Sequence, residues 1–510
     1  MNYQKIFIPM LIGLTIALNA CKKDLGNYTY HDVDVPVTEA SSVKSVYDVE
    51  QNADLTISPE IKFNGNRDNL SYQWIAYVRS LSSVTIGPAT QMGNSRVLST
   101  KVSLAPGTYY LELIVTDKSN QSISTSRTLL NVLAPIETGM LFMHTLNNET
   151  DVDFIASKNL LPTGIEKRIS NLLLSTQGSK MAGTGQMIGF SRRPNSLFNW
   201  VTIGTSQHIK RVNGFTFALW GTDAQLFRRS ATTFNPQAHL NNYGNEFLIN
   251  DGRLQVISWG TPTDALYSGE FTGDYVLAPY IYSYSFYSFG ALLYDQKNGR
   301  FLNTGNVVTN LVFKTFKDIT DQTKAFNPNN IGKDMLFMDH GFQDYAYAFF
   351  KDKTGAGRYL YVLNQSSTDE DNVPVAKYDM SALPEIQDAK YYQTSDLGNI
   401  AYYATDKKVY TYEYSGTNTA AISFSGIGAN ETITGMKLFK PLLNGYASAA
   451  EFVTSNNSIM YLSTWDGAQG KVYELRVNPV NGVITAQPLN TYSGFGRING
   501  MMTKFRGTGT

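Results

Sequence analysis

Phe247-Leu-Ile-Asn-Asp-Gly252-Arg-Leu-Gln-Val-Ile257 sets two short apolar runs on either side of Asp251-Gly252. Asp-Gly supplies the two positive-φ positions of a type I′ turn, whose twist matches paired strands, so the stretch predicts a β-hairpin. The arrangement recurs from Leu292 to Leu302 around Asn298-Gly299, and from Ala401 to Tyr410 around Asp406. Polar tips at Asn147-Asn148, Gly204 to Gln207, Asp251-Gly252, Asn298-Gly299, Gly355, Asp406 and Asn456-Asn457 punctuate the chain. Their spacing, roughly 45–57 residues, is close to the ~40–50 residues of a propeller blade. Seven tips over residues 136–510 predict a seven-bladed β-propeller, with six or eight blades as the neighbouring solutions. Two stacked sandwiches would show the same short strands and regular turns. No WD dipeptide set or Kelch double-glycine set accompanies the tips, so turn periodicity alone carries the expectation. Helix is expected only as one short turn within Pro384 to Ala389.

Composition agrees with an all-β chain. The 510 residues include 32 Tyr, 27 Phe, 5 Trp and 41 Gly, and aromatic residues between glycine turns favour strands. The 42 basic and 42 acidic side chains cancel, which excludes a general nucleic-acid binder, since that needs a basic face. Hydrophobic residues at 42% and charged residues at 16% exclude a disordered chain.

Residues 34–135 predict a separate immunoglobulin- or PKD-like β-sandwich. Leu55 to Ile57, Tyr72 to Tyr77, Tyr109 to Thr116 and Ser122 to Val132 are its strand-like runs. In the third, Tyr109, Leu111, Leu113 and Val115 alternate with Tyr110, Glu112, Ile114 and Thr116, so period two assigns the first set to the core. Pro106-Gly107-Thr108-Tyr109 is similar to a tyrosine corner, and Trp74 is placed like the strand-C tryptophan of such sandwiches. The module reads as a rigid spacer or as a glycan- or protein-binding domain.

Met1 to Lys5 is a short n-region, and Ile6 to Leu18 is an apolar run of 13 residues (18 − 6 + 1). That is short of the ~20 needed to span a bilayer, so residues 1–20 read as a signal peptide. Leu18-Asn19-Ala20-Cys21 resembles a bacterial lipobox, and Cys21 is the single cysteine of the chain. Lipidation of Cys21 explains both its position and its uniqueness, with residues 21–33 as a tether. Directly behind it, Asp24-Leu-Gly-Asn-Tyr-Thr-Tyr30 resembles the start of the PKD-like lipoprotein family of Bacteroidota. The resemblance implies an outer-membrane lipoprotein, anchored through Cys21 and exposed at the cell surface or on the periplasmic face. It further implies partnership with a TonB-dependent transporter and its SusD-like lipoprotein, in a SusC/SusD-type uptake system for glycan or peptide.

Catalytic and metal-binding patterns are absent: there is no H-E-x-x-H, no G-x-S-x-G, and one cysteine excludes a thiolate zinc site. His31, His144, His208, His239 and His340 are scattered without ligand spacing. No metal, cofactor or catalytic residue is therefore expected; Asp274, Asp339 and Asp344 lie near predicted strand ends, but nothing in the sequence pairs them. The aromatic surplus supplies the candidate ligand-binding residues, Trp200, Trp220, Trp259, Trp465, Tyr282 and Tyr284, which would stack on sugar rings or grip peptide side chains if exposed. Core packing is the competing role of Tyr282 and Tyr284. Three functions follow: an auxiliary binding or assembly subunit, a hydrolase or lyase trimming polymer at the propeller centre, or a purely structural subunit. Convergence of a histidine with carboxylates in the central pocket would mark the enzyme.

Overall fold

The computed structural model describes residues 34–78, 88–192, 199–229, 233–242, 245–258, 265–283, 290–305, 310–367, 369–441 and 452–505. The expected signal peptide, the lipidated Cys21 with its tether, Trp259 and Tyr284 lie outside the described residues. The chain divides into two compact units, Met1–Leu133 and Ala134–Thr510.

The first unit is a β-sandwich. One sheet holds, in spatial order, Val46–Glu50, Ser122–Leu133, Gly107–Asp117, Leu70–Val78 and Thr90–Gly93, with the first pair parallel. Asp54–Ile57 pairs separately with Leu98–Lys101. Leu111, Leu113 and Val115 are buried against Trp74, Leu130 and Val132, as the alternation required. Tyr109 is half-buried, and its hydroxyl donates to the Ala105 carbonyl at 2.8 Å, which forms the tyrosine corner. The Trp74 indole N–H donates to the Ser95 carbonyl at 3.0 Å, so its one polar atom is satisfied in the core.

The second unit is a seven-bladed propeller: its described strands form seven successive antiparallel sheets. The innermost strands of blades 2, 3, 5, 6 and 7 are Gly185–Arg192, Pro236–Asn241, Asp334–His340, Tyr391–Thr394 and Thr432–Leu438. In blade 4 the same place is taken by residues 277–282, bridged at Leu277 to Asp295 and at Tyr282 to Leu292. Blade 1 is composite. The C-terminal strand Arg497–Lys504 pairs with Gly139–Leu146 and supplies its inner edge, closing the ring by joining the two ends of the unit.

Radial blades leave wedge-shaped gaps, and each gap holds an apolar cluster. Met187, Leu248 and Tyr267 fill that between blades 2 and 3, Tyr294, Phe301 and Phe350 that between blades 4 and 5, and Phe349, Tyr392 and Tyr403 that between blades 5 and 6. Both faces of a blade are thus buried, so strands such as Ile459–Trp465 are buried at successive rather than alternate positions. Wide wedges favour large flat side chains, which accounts for the aromatic surplus.

Six expected tips are the hairpin between the second and third strands of blades 1 to 6. Asn147, Asn148, Asp251, Gly252 and Gly299 all have the positive φ such turns require. The seventh expectation is corrected. Asn456-Asn457 lies before the second strand of blade 7, and the corresponding tip falls between Trp465 and Gly470, where Gly467 carries the positive φ. The only described α-helix is the six-residue Leu172–Gln177, and Ile386–Asp388 is a single 3₁₀ turn inside the expected segment.

Candidate binding channel

The inner strands of all seven blades ring a central channel of about 470 Å³, a volume within the range of small-ligand sites. Its walls combine apolar side chains such as Ile188, Ile281, Phe337 and Met436 with Gln186, Asn499, Asp339, Lys437 and Lys440. No group of histidine, cysteine and acidic residues suited to a metal ion occurs among the described residues.

Charge gathers where the inner strands of blades 5, 6 and 7 end. Lys440, which is buried, places its Nζ 2.7 Å from Asp339 Oδ2 and 3.5 Å from Asp396 Oδ1. Burial opposes its charge, but Asp339 and Asp396 outweigh burial and raise the ammonium above its ordinary value. His340 Nδ1 lies 3.1 Å from Asp396 Oδ1. Asp344 Oδ1 is 3.0 Å from the other ring nitrogen but out of line for a hydrogen bond. Burial disfavours the imidazolium, yet the carboxylates of Asp344 and Asp396 prevail and the pKa is raised. The His340 ring stacks on Tyr282, with centroids 5.9 Å apart, and the Tyr282 hydroxyl donates to the Asp344 carbonyl. Gln343 and Asp344 both have positive φ, a strained pair that the surrounding contacts must hold in place.

A second polar centre joins blades 2 and 3. Glu246 Oε1 is 2.7 Å from Arg211 Nη2 and also accepts from the Tyr267 hydroxyl, while Oε2 accepts from the Trp200 indole at 2.7 Å. Burial opposes ionisation of Glu246, but Arg211, with His239 and Tyr267, holds its carboxyl well below the usual range. His239 Nε2 is shared between Ser191 Oγ at 3.0 Å and Glu246 Oε1 at 3.3 Å. Serine and carboxylate thus meet the same ring nitrogen, so the trio lacks the relay geometry of a nucleophilic triad.

The candidate aromatics take several roles. Trp200 is buried, and Trp220, 42% exposed, lies beside it at 6.0 Å between ring centroids. Between them they receive the Arg211 guanidinium, 4.5 and 5.1 Å from the two rings. Tyr282 is buried under His340. Trp200 and Tyr282 are therefore corrected to structural roles, because their faces are covered by the protein's own side chains. Trp465 is half-buried at the end of its strand. None of these four lines the channel; Tyr280, Phe337 and Tyr391 do. Asp339 and Asp344 stood out in the sequence, but their pairing escaped it because Asp339, Asp396 and Lys440 belong to three different blades.

Fold and channel together define a class: an N-terminal PKD-like sandwich followed by a seven-bladed propeller with a charged central channel. A family model described as the PKD-like family matches residues 21–184, which is the sandwich with the first part of the propeller. No curated protein matches the chain significantly. Among solved structures, it is similar to a quinonprotein alcohol dehydrogenase-like protein from Bacteroides thetaiotaomicron, 12% identical over 92% of this chain and 98% of that one, with a TM-score of 0.43. It is similar also to apo AztD from Citrobacter koseri, 8% identical over 84% of this chain and 100% of that one, TM-score 0.36. Hsv2 from Kluyveromyces lactis is 7% identical over 69% of this chain and 95% of that one, TM-score 0.38.

Proposed function

We propose that the protein is a non-catalytic outer-membrane lipoprotein that serves as an auxiliary substrate-binding or assembly subunit of a SusC/SusD-type nutrient uptake system. The lipid on Cys21 would hold it at the membrane, after removal of residues 1–20, and raise the effective concentration of its propeller beside the transporter. Its PKD-like match begins at Cys21 itself, the residue the lipobox marks. The observation that carries the binding role is the channel: an open cavity of about 470 Å³ in which Asp339 and Lys440 are ion-paired to each other.

Affinity purification of a C-terminally tagged form from gently solubilised outer membranes tests this reading. Recovery of a TonB-dependent transporter with a SusD-like lipoprotein is the expected result, and recovery of the protein alone counts against it. Replacing Cys21 with Ala should release the protein into the soluble fraction without detergent, and retention in the membrane would refute lipid anchoring.

A second reading, a hydrolase or lyase that trims polymer before import, is favoured by one observation. His340 lies within 3.1 Å of both Asp344 and Asp396, the convergence that acid–base chemistry needs. Release of reducing ends from a polysaccharide, abolished in His340→Gln, would establish it over the binding role.

A further inference from the structure

The channel wall carries two lysines and one carboxylate. Asp339 is already committed, since Oδ2 pairs with Lys440 at 2.7 Å and Oδ1 accepts from the His340 amide at 2.9 Å. Lys437, three residues before Lys440, lines the channel with no hydrogen bond or ion pair among the described residues. Burial pushes its ammonium down against the weaker pull of Asp339. A half-buried cation lacking an ion pair is a site that a ligand anion can fill. Hydrogen-bonding capacity is also unspent on the same walls. Gln186 is exposed to the channel with no hydrogen bond among the described residues. Its amide both donates and accepts, as a sugar hydroxyl does.

One cation for a carboxylate, with an exposed amide that both donates and accepts for hydroxyls that do the same, matches an acidic sugar more closely than an acidic peptide. We infer that the channel selects a uronic-acid saccharide, with Lys437 pairing the carboxylate and Gln186 hydrogen-bonded to its ring hydroxyls. This rests on the binding reading above and names its substrate class.

Isothermal titration of the mature protein with digalacturonate, with neutral digalactose of the same linkage, and with Asp-Asp dipeptide tests it. Digalacturonate should bind at least about tenfold more tightly than either of the others, equivalent to about 1.4 kcal/mol. Lys437→Gln should erase that preference and Lys437→Arg should keep it. In the unaltered protein, raising salt from about 50 to about 500 mM should weaken digalacturonate and spare digalactose, a readout independent of whether a variant folds. Equal affinity for the neutral disaccharide, preference for the dipeptide, or no binding of digalacturonate would overturn the inference. Recovery of the transporter complex in the purification would stand in each of those cases, so the two failures are separable.

Discussion

Glu246→Gln removes one charge from the centre that joins blades 2 and 3 while nearly preserving shape. Arg211, fully buried, would then keep its hydrogen bond to the Ala265 carbonyl at 2.6 Å and its two tryptophan faces, but lose its counterion. The Trp200 indole, the Arg211 guanidinium and the Tyr267 hydroxyl are all donors aimed at the two Glu246 oxygens. An amide offers one oxygen and one NH₂, so at least one donor would face another donor. Breaking a buried pair of this kind costs about 3–5 kcal/mol. Spread over a unit this large, that should lower the calorimetric midpoint by about 4–6 °C. The double variant Glu246→Leu with Arg211→Met, which removes both charges, should recover most of the loss, because apolar replacement of a buried pair is often neutral. Since the two units need not melt together, hydrogen exchange over Asn199–Thr205 and Asn245–Asn250 should locate the weakening. A single variant that melts with the parent, or a double variant as unstable as the sum of the singles, would refute the charge-coupled reading.

His340→Gln should destabilise the propeller in a pH-dependent way. The folded pKa of His340 is raised, so its contribution is complete below the unfolded value of about 6.5 and is lost as pH rises through the folded value. Urea midpoints of parent and variant should therefore converge as pH climbs, and a constant gap would refute the ion-pair role. Gly189→Ala would set a Cβ 2.2 Å from His239 Cγ; a loss of roughly 1–3 kcal/mol is expected for such overpacking, measured by the same denaturation. Deleting residues 497–510 removes the inner strand of blade 1 and leaves the edge of Gly139–Leu146 unpaired. An exposed edge invites association, so the truncated protein should elute as aggregate in size-exclusion chromatography, and a monodisperse monomer would contradict ring closure by that strand.

The fold was legible where turn chemistry is local. Asn-Asn, Asp-Gly and Asn-Gly pairs mark positions whose positive φ few other residues adopt, and three of them stand at the same corner of blades 1, 3 and 4. Asn456-Asn457 misled because Asn457 also has a positive φ, but in the turn that leads into a strand rather than between two paired ones. The composite first blade was hidden, since pairing of Gly139–Leu146 with Arg497–Lys504 spans nearly the whole unit. The channel was hidden for the same reason. Lys437, Asp339 and Gln186 line one channel only when three distant inner strands meet. Aromatic residues signalled strands correctly yet did not mark the site, because large flat side chains serve the wedges between blades as well as they serve a ligand.

That double use of both blade faces constrains where function can lie. With Tyr294, Phe350, Tyr403 and Tyr412 buried between blades, the faces of the middle strands are taken up by packing. What is left is the central channel, the two rims of turns and the outermost strands. Of these the channel holds a charge that no partner in the described fold neutralises: Lys437, half-buried and without an ion pair, reduces stability where it stands. Replacing Lys437 with Met should then raise the melting temperature while removing the preference for acidic sugar. A residue that costs stability and confers selectivity is kept for its ligand, whereas a lower melting temperature in Lys437→Met would show that the lysine supports the fold and would withdraw it from the site.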